Sequence, residues 1–171
     1  MIIVLYAGVS INGYIAKKDG NSEWTSEEDL RGFYEHSKKA GNIVMGKNTY
    51  RAALQYGYFP FPSALNVVFS NEAIENKWGD NVLITNKSPK EVVALLGQKG
   101  FTTVFLAGGG QLNSSFAKEG LIDEIYFDVE PLCFGEGIKV FADSDFEFEL
   151  ELINVKKLNG NTVQLHYRVI K

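Results

Sequence analysis

The chain has 171 residues, 22% of them charged, a formal net charge of −4, a single cysteine and two histidines. That length fits one domain, residues 1–171, able to bury about 70% of its unfolded surface without a disulfide or structural metal. Cys133 cannot form an internal bridge and no Cys/His metal cluster is present, while the negative balance argues against a broad nucleic-acid footprint; a reducing cytoplasm and a small-molecule partner are expected.

The apolar start Met1 to Ala7 lacks a basic leader and is too short for a signal peptide or a membrane span. Ile2 to Ala7 instead reads as a strand covered on both faces, as in a parallel sheet, and Gly8 to Gly13 is expected to break it. Tyr14 to Ala16 makes a short extended piece before a polar turn at Lys17 to Ser22. Leu30, Phe33, Tyr34 and Ala40 then share one helical face, and Lys38 and Lys39 suit that helix's C-terminal dipole. Its start is marked either by Thr25 with Glu28 or by Ser26 with Asp29, two alternative capping pairs.

Ile43 to Met45 forms a second buried strand ending at Gly46, and Asn48 to Leu54 a short helix. The aromatic, proline-rich stretch Tyr56 to Pro62 is a loop, followed by strands at Leu65 to Phe69 and Val82 to Thr85. Ser88-Pro89-Lys90-Glu91 opens a helix with Ser at the N-cap, Pro at N1 and Glu at N3, and Gly100 ends it. Thr103 to Ala107 is an apolar strand that stops at Gly108, Gly109 and Gly110, before an amphipathic segment from Leu112 to Lys118. Such a turn either only reverses the chain or cradles a phosphate, because glycines admit a close ligand and helix-start amides attract anions.

This alternation implies a mainly parallel sheet with crossover helices. The last third changes character. Ile125, Phe127 and Val129 alternate with Tyr126, Asp128 and Glu130, and Phe146 to Leu152 alternates apolar with acidic residues, both reading as one-sided strands. Val163 to Val169 repeats that period, and Asn159-Gly160 signals a two-residue hairpin.

Five segments, Ser10 to Ala16, Val44 to Tyr50, Leu106 to Gly110, Gly120 to Ile125 and Glu130 to Gly137, together resemble the dihydrofolate-reductase-like fold. The nearest likeness is to the C-terminal reductase domain of the bifunctional riboflavin-biosynthesis deaminase-reductase, over nearly the whole chain. The resemblance implies a three-layer αβα domain with a mostly parallel sheet and an antiparallel C-terminal hairpin, common as a homodimer. It implies an NADPH-dependent reductase of a small heterocycle, similar to 5-amino-6-(5-phosphoribosylamino)uracil reductase, here as a stand-alone relative without the deaminase domain. Dihydrofolate reduction and a dinucleotide-binding module without turnover are the alternatives.

By the same resemblance, Gly46, Lys47, Asn48 and Thr49 would bind cofactor phosphates from one side, and Gly108, Gly109, Gly110, Gln111 and Leu112 from the other. Ala7, Gly13 and Ile15 would pack at the nicotinamide end, and Ser70 with Asn71 would meet the 2′-phosphate. Asn71 stands where relatives often carry arginine and Glu72 follows, which leaves NADH open beside NADPH and asks Lys47 or Lys87 to compensate. On the substrate side the resemblance points to Trp24, Asp29 and Arg31. Asp29 would bind the heterocycle or donate a proton, or else only cap its helix, and Arg31 would grip substrate or face solvent. The family's ribose-phosphate loop is replaced by the aromatic stretch, where Tyr56, Tyr58, Phe59 and Phe61 either wall a pocket or cover the core.

Overall fold

The computed structural model describes residues 1–62 and 64–171. In chain order its elements are β1 (Ile2–Ser10), β2 (Tyr14–Ala16), α1 (Glu27–Ala40), β3 (Asn42–Gly46), α2 (Lys47–Gln55), β4 (Leu65–Phe69) and β5 (Val82–Thr85). They continue as α3 (Pro89–Gln98), β6 (Thr103–Gly108), α4 (Gly110–Lys118), β7 (Glu124–Glu130), β8 (Ile138–Lys139), β9 (Glu149–Lys157) and β10 (Val163–Ile170). The main sheet has the order β5-β4-β3-β6-β1-β7-β10-β9, and β2 pairs with β8 in a small second sheet. From β5 to β7 all neighbours are parallel, whereas β10 runs antiparallel to both β7 and β9.

Both faces of the parallel part are covered, which is why its strands are continuously apolar. Leu5, Val44, Val67 and Leu106 point to one side and pack with Val92 and Leu96 of α3 and Phe116 of α4. Their neighbours Tyr6, Ile43, Met45 and Phe105 point to the other, against Ala40 of α1 and Tyr50 and Ala53 of α2. The result is three layers, helices on both sides of the sheet. Local signals agree with this packing: Ser88 Oγ accepts from the Glu91 amide, the Glu91 carboxylate accepts from the Ser88 amide at 2.9 Å, and Pro89 opens α3.

Several elements depart from their expected form. β1 does not break at Gly8 but runs on to Ser10, because β7 pairs alongside it as far as Ser10 opposite Glu130. β7 is not one-sided: flanked by β1 and β10, it buries Asp128 (0% exposed) and Glu130 (2%) on its supposedly wet face. Leu30 is 37% exposed while Asp29, one residue away, is only 7% exposed, so the helix face inferred for the core is rotated at its N-terminus. β9 starts at Glu149; Phe146 and Phe148 precede it, stack on each other and meet Phe141 at an angle on the α3/α4 side of the core.

The β9–β10 connection spans five residues, Leu158 to Thr162, instead of two, since Asn159 Oδ1 accepts from the amides of Asn161 and Thr162 and widens the loop. The aromatic stretch after α2 covers the core. Phe59 packs on Tyr50 and Trp78, Phe61 on Phe33 and Tyr34, and Asn66 at the start of β4 exchanges hydrogen bonds with the Phe61 backbone. That places the loop at the N-terminal edge of the sheet. Among the described residues no helix is long and apolar enough to cross a membrane.

Candidate active site

β3 and β6 are neighbours, yet the helices that follow them leave on opposite faces, α2 with one core cluster and α4 with the other. A parallel sheet opens a crevice at such a point, beyond the C-terminal ends of its strands. Both helix starts that border it are capped by glycine, Gly46 and Gly109, with no side-chain hydrogen bond to the first-turn amides. Those amides, with the helix dipoles behind them, suit the phosphates of a dinucleotide.

The crevice depends on missing side chains. A Cβ on Gly46 would lie 3.7 Å from the Gly108 carbonyl and 3.9 Å from the Gly109 nitrogen; one on Gly109 would lie 3.4 Å from Thr49 Oγ1 and 3.6 Å from Ile15 Cδ1. Gly46, Thr49, Gly108, Gly109 and Ile15, which the resemblance assigns to one cofactor, therefore lie next to one another. Gly108 adopts φ +85°, a conformation that favours glycine, and is joined to Gly109 by a cis peptide bond.

Other residues assigned to the cofactor are placed less centrally. Gly110 packs under the segment 139–142, where a Cβ would collide with the Lys139 carbonyl, and its own carbonyl accepts from the Ala142 amide. Leu112 is buried in the α4 side of the core, while Asn48 and Gln111 are exposed. Gly13, at φ +88°, accepts at its carbonyl from the Val140 amide, which ties the β1–β2 loop to the same segment. Ala7 is half-buried on β1 opposite Phe127. At the rim, Lys47 donates to Glu72, and Ser70 Oγ is occupied by the Glu72 backbone at 3.0 and 3.1 Å. Asn71 is exposed, and Lys87 pairs with Glu91 at 3.8 Å.

Beside the crevice, the ends of β1 and β7 meet the start of α1 in a buried acidic pocket. Ser26 is the N-cap of α1, its Oγ accepting from the Asp29 amide. The carboxylate that answers the Ser26 amide is Glu130, at 2.8 Å, which also accepts from Ser26 Oγ at 2.7 Å and from Thr162 Oγ1 at 2.8 Å. Asp29 is thereby released from capping. Its side chain turns inward against Gly8, where a Cβ would stand 2.8 Å from Asp29 Oδ1, and that oxygen is buried without a protein partner.

Burial, reinforced by the negative charge of Asp128 and more weakly of Glu130, pushes the Asp29 carboxyl up to about 7, while the Thr25 side chain works in the opposite direction. Asp128 is raised by its own burial and by Glu130, although Tyr6 Oη donates to it at 2.5 Å and Gln164 Nε2 at 2.8 Å. The Tyr6 hydroxyl fits against α1 only because position 32 is glycine, where a Cβ would collide with it. A carboxyl poised near neutrality with a free oxygen can hold or donate a proton.

The outer wall is apolar. Trp24 donates its indole N–H to the Asn21 carbonyl and meets Phe134 edge-on at 5.1 Å, with Lys17 Nζ 5.9 Å above the Phe134 ring. Asn12 fastens this loop to β1, accepting from Ser10 Oγ and donating to the Phe134 carbonyl at 2.6 Å. Arg31 is exposed and pairs with Glu28 at 3.8 Å.

Sequence reasoning missed Tyr6, Asp128, Glu130, Arg51 and Glu72. A detectable signal existed for two of them, Asp128 and Glu130: acidic residues alternating along a strand that ends at Glu130-Pro131, in a chain whose early strands read as buried on both faces.

Known proteins are similar to this chain in sequence and in fold. The chain is 32% identical over 168 residues to the uncharacterised protein YwjB of Bacillus subtilis, covering 96% of this chain and 95% of the relative. It is 25% identical to a 2,5-diamino-6-ribosylamino-4(3H)-pyrimidinone 5′-phosphate reductase of Methanothermobacter thermautotrophicus, with 83% and 88% of the two chains covered. Among solved structures, a candidate riboflavin biosynthesis protein from Shewanella sp. PV-4 superposes with a TM-score of 0.84, at 25% identity and full coverage of both chains. The RibD C-terminal domain family matches residues 1–164, and the chain belongs to that family.

Proposed function

We propose that this protein is a reductase that transfers hydride from a reduced nicotinamide dinucleotide to a C=N or C=O group of a small heterocycle related to the ribosylaminopyrimidine phosphates. The observation that carries this reading is that Asp29, with its buried and unpartnered Oδ1, stands against Gly8 of β1, the strand beside the one that ends in the glycine turn at Gly108 and Gly109. When bound, the cofactor supplies the hydride; NADPH is the donor that membership of the family suggests. Gly46, Thr49, Gly108 and Gly109 would hold its phosphates, and Ile15 would pack against it.

The chain's own residues then do three things. Trp24 and Phe134, edge to face, would bound the substrate side. Asp29 hydrogen-bonds the heterocycle or delivers a proton next to the carbon that receives hydride, and binding geometry supplies much of the remaining rate. Burial, with the negative charge of Asp128 beside it, keeps Asp29 protonated, and Tyr6 holds Asp128 in place by donating to it. Dinucleotide oxidation with a ribosylaminopyrimidine phosphate, compared with dihydrofolate, tests this. Turnover of the pyrimidine supports the reading, turnover of dihydrofolate alone replaces it with folate reduction, and tight cofactor binding without turnover of either leaves a binding module.

A further inference from the structure

In the loop after β4, Glu72 holds two cations of α2. Its Oε1 accepts from Lys47 Nζ and its Oε2 from Arg51 Nη2 at 2.7 Å. Lys47 and Arg51 lie one turn apart on α2, so both reach the same carboxylate. The Glu72 backbone is fixed by Ser70, whose Oγ accepts from the Glu72 amide at 3.0 Å and donates to its carbonyl at 3.1 Å. The Lys47 hydrogen bond, with both cations nearby, holds the Glu72 carboxyl below the ordinary range.

β3, α2 and β4 form a parallel strand-helix-strand unit whose phosphate turn is Gly46, and Glu72 follows its second strand. In dinucleotide-binding units of this kind a group close after the second strand faces the adenosine ribose: a carboxylate accepts from a free 2′-hydroxyl, whereas cations receive a 2′-phosphate. Here both chemistries are present, and the carboxylate already engages the cations.

We infer that Glu72 sets the choice of dinucleotide: it occupies the Lys47 and Arg51 groups that a 2′-phosphate needs, so this chain accepts NADH as readily as NADPH. This rests on the reductase reading above. Removing one negative charge about 6 Å from a dianionic phosphate at water-like dielectric changes its affinity by about tenfold.

Binding of NADPH and NADH to the wild type and to Glu72→Gln, followed by titration calorimetry, tests the assignment without requiring a substrate. The wild type is expected to bind the two within about threefold of each other. Glu72→Gln is expected to tighten NADPH by about tenfold with NADH nearly unchanged, and Arg51→Gln added to it to reverse that gain. Equal gains for both dinucleotides, or no gain, would overturn the assignment, as would a wild type that prefers NADPH by about a hundredfold. If neither protein binds either dinucleotide, the reductase reading itself fails and this assignment with it. Unchanged melting temperatures of the variants confirm that each is folded.

Discussion

The carboxyl of Asp29 on α1 lies against that of Asp128 on β7, both buried, with Asp29 Oδ1 left free of any protein donor. Two such groups cannot both ionise cheaply, so one proton is retained near neutral pH. With the Asp29 carboxyl raised to about 7, activity that needs its proton falls as pH rises through about 7. Asp29→Asn is expected to lower turnover by roughly a hundredfold or more and to abolish that limb of the pH profile.

The same shift has a consequence for stability, with the opposite sign to a salt-bridged aspartate. Unfolded Asp29 ionises near 4, so between about pH 4 and 7 the unfolded state releases a proton that the folded state keeps, and stability declines as pH rises. Asp29→Asn is therefore predicted to be more stable than the wild type at pH 8, by roughly 1–4 kcal/mol, with the gain vanishing below about pH 4. Urea unfolding at both pH values measures it.

Glu130 joins α1 to the β9–β10 loop through three accepted hydrogen bonds. Glu130→Ala leaves the Ser26 amide and hydroxyl and the Thr162 hydroxyl without their acceptor, a loss of roughly 2–4 kcal/mol. Glu130→Gln retains an acceptor for Ser26 and is expected to recover most of that loss in denaturant melts.

Gly46 is extended at φ −82°, and a methyl there would make only ordinary contacts with Gly108 and Leu112. Gly46→Ala should hence stay folded, within about 1 kcal/mol of the wild type, because no left-handed conformation is at stake. The methyl fills the floor between the two turns, so dinucleotide affinity is predicted to fall by about tenfold or more. Calorimetry with either dinucleotide reads this directly.

β9 is an exposed edge strand carrying Leu150, Leu152, Ile153 and Val155 on the surface. Such an edge pairs readily with a second copy of the chain unless it is protected. The expected homodimer is predicted to use it: Leu152→Lys should shift light-scattering mass from dimer towards monomer, and an unchanged dimer would place the interface elsewhere.

The strands from β1 to β6 and the α3 cap were legible because burial on both faces writes itself as continuous apolar runs, and Ser88-Pro89 is a local chemical signal. The two glycine turns, expected from the resemblance on opposite sides of one cofactor, do lie side by side. What local pattern could not show was partnership across the chain. Tyr6 meets Asp128 at a separation of 122 residues, and the acidic alternation of β7 looked solvated because nothing in its own segment reveals that β1, β10 and α1 close over it. Asp29 stayed open between a site acid and a helix cap for the same reason, since the residue that takes the capping role, Glu130, is distant in sequence. Glu72 was read only as a departure beside Asn71, and its hold on Lys47 and Arg51 needed the β4 end and α2 in place.

The central claim, a dinucleotide-dependent reductase, is tested most directly by a thermal-shift titration with NADPH and NADH. At about 100 times its dissociation constant, a cofactor bound only by the folded chain stabilises it by about 2.7 kcal/mol. A saturable rise in melting temperature with either dinucleotide, smaller in Gly46→Ala at the same dinucleotide concentration, is the predicted result. No rise with either one contradicts the account.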